Sequence, residues 1–148
     1  MSDNAYFQLS DGEEELCRMT GNAYTLSSNP LVRIVMFFVK ILQFFLGSVT
    51  RVLVVTTSER VVVIQNQKML WIFDQSVTSR TVFPRGVSQI GYSMKRSFIF
   101  FKTHYLLMAS TGETEIFSAK SGEGVTAKGK VEDMIKSVKS LKEKTSGW

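Results

Sequence analysis

Apolar residues follow three patterns along this chain, and each pattern predicts a different kind of element. From Glu13 to Tyr24, and again from Thr50 to Ser118, short runs rich in β-branched and aromatic residues alternate with polar turns, which is typical of β-strands. Residues 30–46 are almost continuously apolar, and residues 130–145 place apolar side chains at every third or fourth position, which predicts helices. The expected order is therefore a strand, a helix, several strands and a second helix.

The β pattern predicts about seven short strands, mostly antiparallel because the links between them are short. Nine segments show this pattern, two more than the number of strands expected: 13–24, 51–56, 60–64, 69–73, 76–83, 87–92, 98–103, 105–109 and 114–118. Turns are expected at 57–59, 65–68, 84–86, 93–96 and 110–112, where polar residues, proline or glycine interrupt the runs. The predicted fold class is α+β and mainly β.

Helix signals flank the apolar segment at both ends. Residues 27–29 offer an N-cap, Pro30 suits the first helical position, and Gly47 stands where a helix C′ residue is expected. Of the 17 residues from Pro30 to Leu46, 13 are Leu, Val, Ile, Met or Phe. At 1.5 Å per residue this helix is expected to be roughly 25 Å long, a little less than the roughly 30 Å hydrocarbon layer of a membrane.

Arg33, Lys40 and Gln43 form one narrow polar stripe on the predicted helix, because successive residues turn by about 100°. The remaining surface is apolar and too broad for a helix that rests on a core by one side. We therefore predict a second apolar environment, contacted through Leu31, Val35, Phe38, Val39, Leu42, Phe45 and Leu46. Three environments fit the pattern: a membrane interface, other copies of the chain, or the protein's own core between the sheet and the terminal helix.

The second helix is amphipathic. Its apolar positions are Val131, Met134, Ile135, Val138 and Leu141, and the positions between them are rich in lysine. We predict one domain over 1–148, with an apolar helical insertion at 27–49, a flexible link at 119–129 and the terminal helix at 130–145, since a chain of this length suits a single core.

Charge and cysteine usage narrow the choice of partner and compartment. The net charge of the chain is +5, but it is unevenly distributed: residues 1–29 carry −4 and residues 51–105 carry +6. The basic middle of the chain favours an anionic partner. The single cysteine, Cys17, cannot form an intrachain disulfide, and the polar, acidic N-terminus does not resemble a secretory signal. The expected location is the cytoplasm, peripheral at the inner face of a membrane.

Two short stretches resemble bacterial PH-like and GRAM-type domains. The first is Gly-Glu-Glu-Glu at 12–15, and the second is the run at 52–63, where a strand ending in threonine leads to an arginine that begins the next strand. The resemblance covers residues 12–24 and 51–145, and it implies a PH-like barrel of about seven antiparallel strands with a C-terminal helix closing one end. The long apolar segment at 27–48 departs from the family pattern, which has a short loop at this point.

Signals for an enzyme are weak. His104 has no Cys or carboxylate at ligand spacing, and Cys17 is expected to be a half-buried packing residue. The sequence contains no phosphate-binding loop, dinucleotide fingerprint or nucleophile elbow. We therefore expect no enzymatic activity, no catalytic residue, no cofactor and no metal.

The best candidate anion site is a basic cluster around Lys95 and Arg96, which the pattern places on a hairpin tip. The residues expected to meet phosphate or lipid headgroups are Arg33, Lys40, Lys95, Arg96, Arg80 and Arg85. Nucleic acid is not expected, because the nearby aromatic residues fit core strand positions. The sequence predicts a non-enzymatic module that binds an anionic membrane surface as part of an assembly, with copies of the chain or another protein as further partners; the alternative is a structural protein that self-assembles through the apolar helix without lipid.

Overall fold

The computed structural model describes residues 7–25, 30–70, 72–97, 99–110, 113–121 and 124–147. The elements are β1 (Glu15–Thr25), α1 (Pro30–Phe45), β2 (Val49–Thr57), β3 (Val61–Met69), β4 (Phe73–Val82), β5 (Val87–Ser97), β6 (Phe101–Ser110), β7 (Glu113–Ser118) and α2 (Ala127–Ser146). A short 3₁₀ turn, Pro84–Gly86, joins β4 to β5. The mainly β, α+β class expected from the sequence is confirmed.

The strands form one antiparallel sheet of seven strands in the order β4-β3-β2-β1-β7-β6-β5. Strand β1 belongs to both halves of the sheet, because its residues 15–22 pair with β2 and its residues 23–25 pair with β7. This change of partner requires a close approach at Gly21, where an added side-chain carbon would overlap the carbonyl of Ser118. Glycine therefore allows the two halves to meet along β1.

The valine-rich runs of β2 and β3 form the centre of the protein because both faces of this part of the sheet are covered. On one face, Val52, Val54, Val61 and Val63 join the main core together with α2. On the other face, Leu53, Val55, Val62 and Ile64 form a second cluster with Phe7 and Val77. A strand that is covered on both sides has a continuous run of apolar residues in its sequence, rather than alternating apolar and polar residues.

Helix α2 packs its predicted apolar face on the sheet. Val131, Met134, Val138 and Leu141 are all buried, while Ile135 is half-buried beside them. The helix begins at an N-cap, Thr126, whose hydroxyl accepts a hydrogen bond from the Gly129 amide at 3.1 Å. The helix contacts β1, β2, β5 and β6, so it links the two halves of the sheet.

Four of the predicted turn and strand assignments are wrong. The expected turns at 65–68 and 93–96 are strand residues of β3 and β5, and the segment 69–73, expected to be a strand, holds the turn between β3 and β4. The segments 98–103 and 105–109 belong to one strand, β6, preceded by a turn at 99–100. The hydrogen bonds between paired strands are made by the backbone alone. A segment with polar side chains therefore continues a strand wherever a neighbouring strand is in register with it.

Candidate functional site

The apolar surface of helix α1 is exposed. Every described side chain on the helix is exposed except Met36, which is half-buried. Phe38 is 65% exposed and Phe45 77%, and the other predicted contact residues, Leu31, Val35, Val39, Leu42 and Leu46, are exposed as well. An apolar surface of this size on a single element marks an interaction site in a folded protein.

Helix α1 is exposed on its polar side as well as on its apolar side. At about 100° per residue, Met36 projects within about 40° of Lys40 and about 20° of Gln43, yet Lys40 and Gln43 are themselves exposed. Phe38 and Phe45 project about 160–180° away from Met36 and are among the most exposed residues of α1. An ordinary amphipathic surface helix covers its apolar side with the core, whereas the apolar side of α1 is exposed. The side chain of Arg33, the third residue of the predicted stripe, lies outside the described part of the structure, as do the predicted N-cap residues 27–29.

The C-terminal end of α1 is fixed by a capping motif. Gly47 has a positive φ of 61° and is buried, and its amide donates to the carbonyl of Phe44 at 3.2 Å. The Ser48 amide donates to the carbonyl of Gln43 at 2.8 Å. These two bonds are those of a Schellman cap, and they place Gly47 at the expected C′ position.

The turn between β3 and β4 extends the apolar surface beyond α1. The Leu70 amide donates to the carbonyl of Leu46 at 3.2 Å, so this turn contacts the end of the helix directly. Leu70 also has a positive φ of 53°, which is uncommon for a residue other than glycine. The exposed apolar residues of the turn are Met69, Leu70, Ile72 and Phe73. The sequence left open whether Trp71 and Phe73 lie in the core or at a membrane edge. The exposure of Met69, Leu70 and Ile72 was not expected, because 69–73 was assigned to a strand.

The structure does not assemble the predicted basic residues into one cluster. Arg80 forms an ion pair with Glu115 on β7, and Arg85 donates to the carbonyl of Thr145 at the end of α2 at 3.2 Å. Arg85 lies in the 3₁₀ turn before β5 and Lys95 near the far end of that strand, and the eight residue steps from Val87 to Lys95 alone correspond to roughly 26 Å of extended chain. Lys95 and Arg96 are exposed, but they lie within β5 rather than on a turn. Of the residues expected to form the anion site, Arg80 and Arg85 are therefore held by contacts with β7 and α2.

The residues that carried the family resemblance meet in one buried network. The Glu13 carboxylate, whose side chain is fully buried, accepts hydrogen bonds from Arg60 Nε at 2.9 Å and Arg60 Nη2 at 3.0 Å. It also accepts from the Thr57 hydroxyl and from the Ser10 amide. The hydrogen bonds from Arg60 lower the pKa of Glu13 from 4.5 to about 2. The network fastens the N-terminal segment to the turn between β2 and β3.

Residues considered for catalysis have ordinary structural surroundings. Cys17 is half-buried beside the main core, and burial, with a smaller effect from Asp133, raises the pKa of its thiol, which makes it a poor nucleophile. His104 lies against Tyr92, with Nδ1 2.7 Å from the phenol oxygen and ring centroids 5.8 Å apart. The described residues contain no group of three or more Cys, His, Asp or Glu side chains that could hold a metal ion.

Within the described ranges, no helix has both the length and the apolar composition needed to cross a membrane. Comparison of the chain with protein-family models, with curated proteins and with solved structures gave no match.

Proposed function

We propose that this protein is a non-enzymatic module that docks on the anionic, cytoplasmic face of a membrane, with the sheet and α2 forming a PH-like barrel and α1 inserted between its first two strands. The observation that carries this proposal is the exposure of α1, whose described apolar side chains are all exposed except Met36, which is half-buried. The family resemblance at 12–15 and 52–63 supports the PH-like assignment.

A lipid surface suits this apolar region better than a second protein surface does. The exposed side chains extend around most of the helix and continue onto the β3–β4 turn, whereas a protein partner covers one stripe of a helix. Lipid surrounds whatever is immersed in it, and each buried Phe or Leu side chain contributes about 1.5–3 kcal/mol. Lys40 and Arg33 would meet lipid phosphates at the edge of the inserted surface.

Self-assembly without lipid is the alternative function. One observation favours it: Phe37 and Phe44, and likewise Phe38 and Phe45, are seven residues apart, as in helices that pack against one another in a heptad pattern. The two functions differ in what covers Phe38 and Phe45, so one variant distinguishes them.

The decisive variant combines Phe38→Asp with Phe45→Asp. A carboxylate in lipid or in a packed interface costs several kcal/mol, so we expect the affinity of the variant for vesicles of phosphatidylcholine and phosphatidylserine to fall at least tenfold. Because both positions are exposed, thermal unfolding should stay near that of the parent. The matched control is Leu9→Asp with Phe83→Asp, which changes two exposed apolar residues elsewhere and should leave vesicle binding intact.

Two results would contradict the proposal. If the parent protein does not bind vesicles but elutes as an oligomer that the Phe38→Asp, Phe45→Asp variant converts to a monomer, α1 is a self-assembly surface. If the variant unfolds or becomes insoluble while the control stays folded, α1 belongs to the protein's own core in solution.

A further inference from the structure

The hairpin formed by β5 and β6 projects beyond the strand next to it. Strand β7 pairs with β6 only from Tyr105 to Ser110. The preceding residues of β6, 101–104, pair with residues 94–97 of β5. The end of the β5–β6 hairpin therefore extends beyond Ser118, the last residue of β7 that pairs with β6.

The turn at the end of the hairpin carries the most exposed apolar side chains of the described protein. Ile99 is 80% exposed and Phe100 85%, and the adjacent Phe101 is 68% exposed. The aromatic residues of this region were expected at core strand positions, and this expectation is wrong for Phe100 and Phe101. These three side chains belong neither to the main core nor to the second apolar cluster.

The same hairpin is basic and contains no carboxylate. Lys95, Arg96 and Lys102 are exposed next to the turn, and the sequence from Val87 to Gly112 has no Asp or Glu. Arg96 and Lys102 lie directly opposite each other on the two strands. Like charges at paired positions destabilise a hairpin, and the hairpin has no carboxylate to offset the repulsion between Arg96 and Lys102. An anionic partner would relieve this repulsion.

We propose that the β5–β6 turn is a second membrane-contact element, in which Ile99, Phe100 and Phe101 enter the interface of an anionic bilayer while Lys95, Arg96 and Lys102 bind its headgroups. Apolar side chains at a tip with cations directly behind them match the order of layers at a membrane surface, acyl chains below phosphates. A nucleic acid fits less well, because Ile99 offers no aromatic face for a base to stack on. The inference deepens the proposed function and rests on it for the identity of the partner, but it uses residues that α1 does not contribute.

The test measures each element in the absence of the other. In one variant α1 carries Phe38→Asp with Phe45→Asp, and in a second the turn carries Ile99→Asp with Phe100→Asp; the third combines all four changes. Each is titrated with vesicles of phosphatidylcholine alone or with phosphatidylserine, at low and at physiological salt. We expect the α1 variant to keep salt-sensitive binding to the phosphatidylserine vesicles and the combined variant to lose it.

Two further variants test the chemistry of the turn in the α1 variant. Lys95→Ala with Arg96→Ala should weaken binding to the anionic vesicles roughly 20- to 30-fold at low salt, since each basic residue near the surface contributes about 1 kcal/mol. Ile99→Leu with Phe100→Leu, which keeps the turn apolar, should bind nearly as well as its parent. Near-ultraviolet circular dichroism checks that every variant is folded.

The outcomes separate the two proposals. If the α1 variant binds no vesicles while the turn variant binds as the parent does, the second contact is refuted and the proposed function of α1 stands. If the turn variant binds no vesicles while the α1 variant binds as the parent does, the turn is supported and the role of α1 fails. Equal binding to both vesicle types, or binding of the α1 variant to poly(U) but not to lipid, would overturn the inference about the turn.

Discussion

Glu13 shows how a single buried charge fixes the start of the chain. Its carboxylate is held by Arg60, Thr57 and the Ser10 amide, and its pKa is about 2 instead of 4.5. A carboxylate with a lowered pKa stabilises the fold above its unfolded-state pKa, and this contribution disappears as the pH falls toward the folded-state value. The ion pair therefore contributes fully above about pH 5 and is lost between about pH 4.5 and 2.

We predict that Glu13→Gln lowers the free energy of unfolding at neutral pH by about 2 kcal/mol, because a charged hydrogen-bonded pair is replaced by a neutral one. The difference between parent and variant should shrink as the pH is lowered from 4.5 toward 2. Urea unfolding at a series of pH values measures both quantities. Glu14→Gln, at an exposed position next in sequence, is the control; a difference independent of pH would refute the assigned role of the carboxylate.

Gly21 is the residue at which a side chain is least tolerable. A methyl group there would overlap the carbonyl of Ser118, whereas a methyl group at Gly91 on β5 would have no heavy atom within 4 Å. We predict that Gly21→Ala destabilises the protein by about 3 kcal/mol or more, because backbone rather than a mobile side chain must move. Gly91→Ala should be close to neutral in the same chemical denaturation experiment, and similar effects at the two positions would contradict the explanation.

At the scale of elements, α1 and the β3–β4 turn act together as one apolar surface. The turn is held against the end of α1 by the Leu70–Leu46 hydrogen bond, and Leu70 adopts an unfavourable backbone conformation there. Residues kept in such conformations are frequently functional. In this protein the conformation presents apolar side chains beside the exposed face of the helix, where the proposed membrane would lie.

We predict that Ile72→Asp with Phe73→Asp weakens binding to anionic vesicles at least tenfold, since two exposed apolar side chains are lost from the docking surface. Gln75→Asp with Ser76→Asp adds the same charge at exposed positions of β4 and should have a much smaller effect. Trp71, between the altered residues and Leu70 in sequence, is a natural reporter: in a Trp148→Phe background its emission should shift to the blue when vesicles are added. An unchanged spectrum in the bound protein would exclude the turn from the membrane.

At the scale of the whole molecule, α2 holds the two halves of the sheet together. Met134 is fully buried, contacts Thr56 through its sulfur at 2.9 Å, and belongs to the core that includes strands from both halves. Among the described residues, the surface elements proposed for membrane contact, α1 and the turns, contribute none to this core. The proposed docking surface and the core are therefore separate sets of residues in the described part of the chain.

We predict that Met134→Ala destabilises the protein by about 2–5 kcal/mol, the usual range for truncation of a buried core residue. Unfolding should remain a single transition, because the core is shared by both halves of the sheet. Lys139→Ala, on the exposed side of the same helix, should change the free energy of unfolding by less than about 0.5 kcal/mol. Two separate transitions in the Met134→Ala protein would show that the halves fold independently.

Much of the fold was predictable because the relevant signals are local in sequence. The β-branched runs of β2 and β3, the apolar spacing of α2 and the capping role of Gly47 each depend on residues a few positions apart. The strand ends were predicted less well. Gln65 to Lys68 continue β3, and Ser93 to Arg96 continue β5, because neighbouring strands supply their backbone hydrogen bonds, and the sequence of a strand does not reveal where its neighbour stops.

The sequence by itself determined the class of fold and the existence of an unusually apolar helix, since composition and periodicity are properties of the chain alone. Only the tertiary structure decided that the apolar side chains of this helix are exposed rather than packed in the core, which turns present apolar side chains, and which basic residues lie apart. Arg80 and Glu115 are 35 residues apart in sequence and form an ion pair, while Arg85 lies in the turn before β5 and Lys95 near the far end of that strand, although they are only ten residues apart. Pairing between distant strands sets such distances, because it depends on the register of the sheet and not on spacing along the chain.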